Sequence, residues 1–417
     1  MKQYDVIVVG GGTAGFAAAV TAAKAGKNTL LIEENAYLGG TATGAQISQF
    51  MGFANDETEE SLRGLVKELL SRLKAAKGSQ GMSHIYLSGD KNLDVSVIPY
   101  QPDILKDIMD DMVSEAGVDI LLHTRVIGAQ MTDGKISSLT IHNVEGVQSI
   151  TGRIVIDATF HGSVAVACGC QWKMGDEDGV LQPGTLIYQI AGVDAERYAK
   201  VTQSEKTALA KKGLEQGCLY VNNLLARPLP NGVFQSNMSR VKINPLDTLA
   251  WSKAEMEARR QVRKISRFFI ENVPGFEHAY LVTTGDFTGL RDSRRIMGQY
   301  VLSNEDVLEG HEFPDAVAKS SYPIDIHDAN GVGSHVVKPK TGVFYVPYRA
   351  MIVKEASNLV LAGRCISAEH EAHACIRVMI TCMRLGEAAA MAAAESLNRG
   401  CEVNTLDGSI LKEQLLG

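Results

Sequence analysis

Gly10-Gly11-Gly12-Thr13-Ala14-Gly15 follows the apolar run Val6-Ile7-Val8-Val9 without a gap, and Glu33 closes a second apolar run, Leu30-Leu31-Ile32. Strand, glycine turn, small-residue helix, strand and acid, in that order, confine the start of the chain to a dinucleotide-binding βαβ unit. Gly10 permits the tight turn, Gly12 puts no Cβ between backbone and pyrophosphate, and Gly15 lets the helix lie close to its strand. The free N–H groups from Thr13 through Ala14 to Gly15 favour phosphate charge. Glu33, with Glu34 beside it, ends the second strand where a carboxylate accepts ribose hydroxyls, and an acid there disfavours a 2′-phosphate.

The remainder of the 417 residues is ordinary for a globular chain, with 45% hydrophobic and 21% charged residues. That length suits two domains. A net charge of −7 argues against nucleic acid or an anionic membrane as partner. Seven cysteines include Cys168 and Cys170 but no CxxC, which excludes a redox-active disulfide of that spacing and any iron–sulfur pattern. Reduced thiols in a cytoplasmic protein are the expectation. Phe16 to Ala23 is apolar but reads as the first helix rather than a leader core. No apolar run reaches the 18 or so residues of a membrane span.

Along the chain, the spacing predicts helices over Ala14–Ala25, capped by Gly26, and over Ser61–Ala76 and Pro102–Ala116. Lys77 to Pro99 is polar and turn-rich and reads as a surface excursion. Short strands follow over 119–122, 125–131, 136–142 and 147–150, with Asp133-Gly134 as a hairpin turn. A helix is expected around Thr248–Asn272, and one long alanine-rich helix from about Ala372 to Asn398.

Several further segments bear on function: Gly39-Gly40-Thr41-Ala42-Thr43, Ile156-Asp157-Ala158-Thr159, Thr288 to Ile296, and Asn358 to Ala390 with its Ala362-Gly363-Arg364. In order and spacing, these and the fingerprint resemble the FAD-dependent oxidoreductases, glutathione-reductase-like flavoproteins related to fumarate reductase. The resemblance covers nearly the whole chain. It implies an α/β fold: a Rossmann-like, doubly wound FAD-binding domain (1–164 plus 341–417) with an inserted α+β substrate or cap domain (165–340). It also implies roles. Gly10, Gly12, Gly15 and Glu33 would hold the ADP half of FAD. Gly39, Gly40, Thr41 and Thr43 would line the pyrophosphate and ribityl chain, and the backbone of Val126 would meet the adenine. Ala158 and Thr159 would lie beneath the nucleotide, and Gly363 and Arg364 would close over it. The last helix would aim its N-terminus, from His370 to Ala374, at the flavin.

The family usually has Gly after Asp-Ala-Thr, and Phe160-His161 departs from it. No His lies between Gly39 and Gln49, where flavinylated relatives carry their attachment residue, so FAD is expected to be non-covalent. There is no second dinucleotide fingerprint.

The candidate chemical residues are His370, Arg291, Arg295 and Arg377. Arg291, Arg294 and Arg295 would share one face of a helix and clamp a substrate carboxylate, or else form a solvated or interdomain face. His370 is an acid, base or hydrogen-bond donor, or alternatively a helix-start residue. His370-Glu371-Ala372-His373 is one residue short of a zinc HExxH, and no metal is expected. Tyr348 and Arg349 contact the ligand or pack the domain junction, the commoner outcome. The function implied is hydride transfer through flavin N5 to or from a small polar substrate, with a homo-oligomer compatible. Electron delivery to a protein partner and flavin binding without turnover are the alternatives.

Overall fold

The structure, a computed structural model, describes residues 3–87 and 90–416. Val6 to Val9 are buried without alternation, as in a strand covered on both faces. This strand, Tyr4–Val9 (β1), is followed by helix Thr13–Lys24 (α1) and strands Thr29–Ile32 (β2), Asp119–Leu121 (β3), Gly152–Asp157 (β4) and Leu359–Leu361 (β5). They form one parallel sheet in the order β5-β4-β1-β2-β3. The order reverses beside β1, and ligands of such sheets bind at the carboxyl ends of the strands at that crevice. The chain's two ends thus build one sheet.

α1 ends as its sequence suggests. Gly26 is left-handed, its N–H donates to Ala23 O, and Lys27 N–H donates to Ala22 O, a Schellman closure. Asp133 and Gly134 both have positive φ, as a two-residue hairpin between Arg125–Thr132 and Lys135–Asn143 requires.

The buried hydrophobic residues form two clusters. The larger surrounds the parallel sheet and takes in Ile296 through Ile324 as well as both chain ends. The smaller runs from Leu186 to Leu290 around helix Thr248–Asn272 (α2) and a four-stranded antiparallel sheet. Tyr198, Phe234, Phe269 and Phe276 meet edge to face at its centre. Residues 165–340, expected as one inserted unit, divide between these two cores.

Three expectations need correction. The stretch from Lys77 to Pro99 is not merely a surface excursion: Asp94–Pro99 is the middle strand between Ser83–Tyr86 and Gln49–Phe50, and Val97 and Ile98 are buried (88 and 89 lie outside the described residues). The long terminal helix is two helices, His370–Ile376 (α3) and Met379–Arg399 (α4). Val378 is extended between them, and the Ile380 N–H goes to Met51 O. Finally, Arg291 to Arg295 is not helical. Arg295–Ile296 pairs with Trp172–Lys173, so the three arginines diverge instead of sharing a face.

Candidate functional site

A cavity of about 350 Å³ opens at the carboxyl end of the sheet. Each strand delivers residues to it: Gly10 after β1, Glu33 at the end of β2, Val126 beyond β3, Ala158 and Thr159 after β4, and Gly363 and Arg364 after β5. Gly12, Thr13, Ala14, Glu34, Gly40 and Thr41 line it as well. A Cβ on Gly12 would meet no protein atom within 4 Å, so this face of the turn looks into open space. A backbone cradle at a helix start, with an acid a strand away, fits the diphosphate and ribose of a dinucleotide.

Other predicted residues hold the cradle without lining it. Gly15 lies against the Gly10 carbonyl. The Gly39 N–H donates to Gly11 O at 2.8 Å, tying the two glycine loops together. Thr43 is buried and its Oγ1 donates to Leu38 O. Glu33 accepts from Gly11 N–H at 2.6 Å and from Asn35 N–H at 2.8 Å, so it also organises the turn. Burial pushes its carboxyl pKa up, while these hydrogen bonds pull the other way. Asp157 is wholly buried and accepts from Thr159, Val164 and Ala165, capping the helix Ser163–Ala167. The Asp-Ala-Thr motif is thus architectural at its acid and cavity-facing at its other two residues.

The cavity has an aromatic wall that sequence reasoning missed. Phe160, His161, Trp251 and Phe287 line it, Phe160 and Trp251 packing against the smaller core. The Arg364 guanidinium lies 4.0 Å from the Phe160 ring centroid. His161 Nδ1 is 2.7 Å from Ser293 Oγ. Burial, reinforced by the charges of Arg294, Arg364 and Arg125, brings its pKa down to about 4, so it is neutral at pH 7. The bulk at Phe160 was legible as a departure from the family pattern. Trp251 and Phe287 carried no local signal.

A second cavity, of about 480 Å³, shares Thr41, Leu290, Arg364, Arg377 and Met379 with the first. Its own lining includes Arg227, Arg240, Arg291, Tyr322, Asp325 and His327. Val378 and Met379, at the start of α4, face it, so the helix N-terminus presented here belongs to α4. Arg291 and Arg377 therefore meet at one cavity, as do Arg364 and the glycine turn at the other.

His370, Arg295 and Ala374 line neither cavity. Ala374 is buried in α3. Arg295 donates to Ala368 O and Gly175 O and lies 3.5 Å from Asp292, whose other oxygen is 3.3 Å from His370 Nδ1. His373 Nε2 is 3.0 Å from Arg364 O, and burial holds its pKa far down. This buried layer stands behind Arg364 and α3. Tyr348 is buried in the larger core, with its hydroxyl on Val403 O, and Arg349 pairs with Asp315; neither lines a cavity. Among the described residues, no group of three or more His, Cys, Asp or Glu could hold a metal, the seven cysteines are free, and no helix is long and apolar enough to cross a membrane.

Comparison with known proteins bears on this geometry. A family model described as FAD dependent oxidoreductase matches residues 5–415. Digeranylgeranylglycerophospholipid reductase 1 of Methanococcoides burtonii is 27% identical over 204 residues, covering 47% of this chain and 46% of its own. The Thermoplasma volcanium reductase of the same description is 27% identical over 161 residues, covering 38% and 39%. The chain thus spans about half the length, or less, of these curated relatives. Among solved structures, a geranylgeranyl bacteriochlorophyll reductase-like protein from Thermoplasma acidophilum superposes with a TM-score of 0.51 at 15% identity, covering 100% of this chain and 83% of that one. The p-nitrophenol 4-monooxygenase of Pseudomonas putida gives 0.51 at 12% identity, covering 100% and 84%. These two similarities establish the fold.

Proposed function

Because this chain belongs to the FAD-dependent oxidoreductase family, we propose that it is a dehydrogenase or reductase acting on a small polar molecule held in the second cavity. The observation that carries the reading is the shared wall. The cavity lined by the dinucleotide fingerprint and the polar cavity between the two cores have five residues in common. FAD, when bound, supplies hydride transfer at its N5.

In this reading the chain's own residues divide the work. Gly10, Gly12, Thr13 to Gly15, Gly40, Thr41, Ala158 and Thr159 hold the nucleotide without a covalent bond. Glu33 and Val126 hold its ribose and adenine, and Gly363 and Arg364 close the near side. Arg291 and Arg377 orient substrate. His370 and Arg295, through Asp292, are positioning residues that keep the segment behind Arg364 in place. The relatives' names specify geranylgeranyl lipids. The arginines, Asp325 and His327 in the second cavity favour a polar substrate over an isoprenoid chain. The FAD-binding unit is proposed to include 296–340 in addition to both chain ends, because those residues share its core.

Anaerobic titration of the yellow protein with a panel of polar metabolites tests this. Loss of flavin absorbance with at least one of them, or reoxidation of the reduced protein by one, is expected. Protein that takes up no FAD, or whose flavin exchanges electrons only with a protein partner, would overturn it.

A further inference from the structure

We propose that the second cavity takes a substrate bearing at least two acid groups, carboxylate or phosphate, gripped by Arg227, Arg240, Arg291 and Arg377. The inference rests on the reading of this cavity as the substrate pocket. Its evidence is where these guanidinium groups spend their hydrogen bonds. Arg227 donates to Gln49 Oε1 at 2.6 Å. Arg240 donates to the carbonyls of Asp328, Gly331 and Gly333 at 3.1, 3.3 and 2.9 Å, and to His327 Nδ1 at 3.1 Å. Arg291 donates to Pro183 O at 2.6 Å and Thr185 Oγ1 at 2.8 Å. Arg377 donates to Asp325 O at 3.0 Å, and its Nε is buried without a hydrogen-bond partner. Every acceptor is neutral.

Arginines elsewhere in the chain are paired with carboxylates, two of them turned inward (Arg384 and Arg295) and one exposed (Arg349). Arg384 meets Glu57 at 2.6 Å, Arg349 meets Asp315 at 2.9 Å, and Arg295 lies 3.5 Å from Asp292. Around this cavity, by contrast, the acceptors that the lining guanidinium groups reach are carbonyl, amide, hydroxyl and imidazole atoms, Arg364 included, which donates to Leu290 O. A guanidinium drawn out of water without a counter-ion is costly. Burial, with the charge of Arg377 beside it, brings the Arg291 pKa down to about 9.

Among the described residues that line the cavity, one carries a carboxylate, Asp325. Its Oδ2 accepts from the Tyr322 hydroxyl at 3.2 Å and lies 3.4 Å from His327 Nε2. An arginine can only donate, so the Arg240 contact makes His327 Nδ1 an acceptor and leaves the ring proton on Nε2, facing Asp325. His327 is therefore neutral and adds no charge. Arg364, shared with the first cavity, is a fifth guanidinium in its wall; Asp325 within it and Asp328, whose charge reaches Arg240 from outside the lining, leave three of the five positive charges unanswered. A single acid group would leave two, whereas a ligand with two or three would settle most of the excess. The planar fork of arginine suits carboxylate and phosphate oxygens alike.

The test uses FAD-loaded protein and four probes: citrate, pyrophosphate, acetate and glycerol. Binding is read from the flavin absorption spectrum and the thermal midpoint. Citrate, pyrophosphate or both should bind at least about tenfold more tightly than acetate, with affinity falling as salt rises. Which of the two prevails separates carboxylate from phosphate. Arg227→Gln and Arg240→Gln should each weaken that binding about tenfold or more while FAD content is unchanged. Acetate or glycerol binding as well as the polyanions, or no response to either polyanion at millimolar concentration, would overturn the proposal. Should a variant fail to fold, the wild-type probe series still decides. A colourless protein sinks the flavoenzyme reading, while a yellow one indifferent to both polyanions sinks only this inference.

Discussion

A methyl group added at Gly15 would lie 1.7 Å from the Gly10 carbonyl oxygen, whereas one added at Gly12 would meet no protein atom within 4 Å. Gly12 also has φ −63°, which any residue adopts. The first glycine therefore serves the packing of α1 against β1, and the second leaves space for something the protein does not itself supply. Gly15→Ala should destabilise the fold by about 3 kcal/mol or more, since only backbone movement relieves the overlap. Gly12→Ala should leave the unfolding free energy within about 0.5 kcal/mol of wild type. It should nevertheless weaken FAD binding at least about tenfold, or about 1.4 kcal/mol. Urea unfolding of both variants, followed by FAD titration of whatever folds, separates the two effects. A Gly12→Ala protein that retains FAD like wild type would show that the diphosphate does not approach that turn.

Helix α1 and helix α4 approach so closely that their seam is built from glycine and alanine. A Cβ at Gly386 would lie 2.1 Å from Ala14 O and 3.1 Å from the Ala17 side chain, and one at Gly363 would lie 2.8 Å from Ala14 Cβ. Ala14 also lines the nucleotide cavity, so the seam sets the position of the fingerprint helix. Gly386→Ala should cost about 1–3 kcal/mol of stability and weaken FAD binding several-fold, because relieving the clash moves Ala14. Parallel measurements of unfolding and FAD affinity check this, and a stability loss with unchanged affinity would separate the seam from the site. The alanine-rich helices were legible because small side chains have few other uses on a sheet. The break between α3 and α4 was not. Neither Arg377 nor Val378 is a helix breaker of the Gly or Pro kind, and the bond that replaces helical pairing comes from Met51, more than 300 residues away. The triad Arg291, Arg294 and Arg295 misled for a related reason. Helical spacing was present, but the segment passes between the two cores, and each arginine follows a different partner: Arg291 the Pro183 carbonyl, Arg294 the Trp172 ring and Arg295 the Ala368 carbonyl.

For the molecule as a whole, the nucleotide cavity is lined by segments from positions near 10, 33, 40, 125, 160, 250, 288, 364 and 380, each following its own strand, helix or loop. Four of the five that leave the parallel sheet were legible as motifs, because backbone must approach a ligand closely there, whereas Val126 followed only from the family resemblance. Trp251 was not, since it packs against the second core and reaches the cavity only through long-range packing, and Phe287 sits in a segment with no motif of its own. A ligand touching so many distant segments couples their stabilities. FAD binding to the native state alone should raise the unfolding free energy by about 4 kcal/mol when free FAD is a thousandfold above its dissociation constant. The thermal midpoint should therefore climb steadily with the logarithm of added FAD and fall when the cofactor is stripped. Hydrogen exchange should report the distribution. Protection should rise together at residues 10–15, 39–41, 124–126, 158–163 and 363–364, and change least in 195–215, where the chain lies away from this cavity. A midpoint independent of FAD, or protection confined to the first 40 residues, would mean that the two chain ends do not share one ligand.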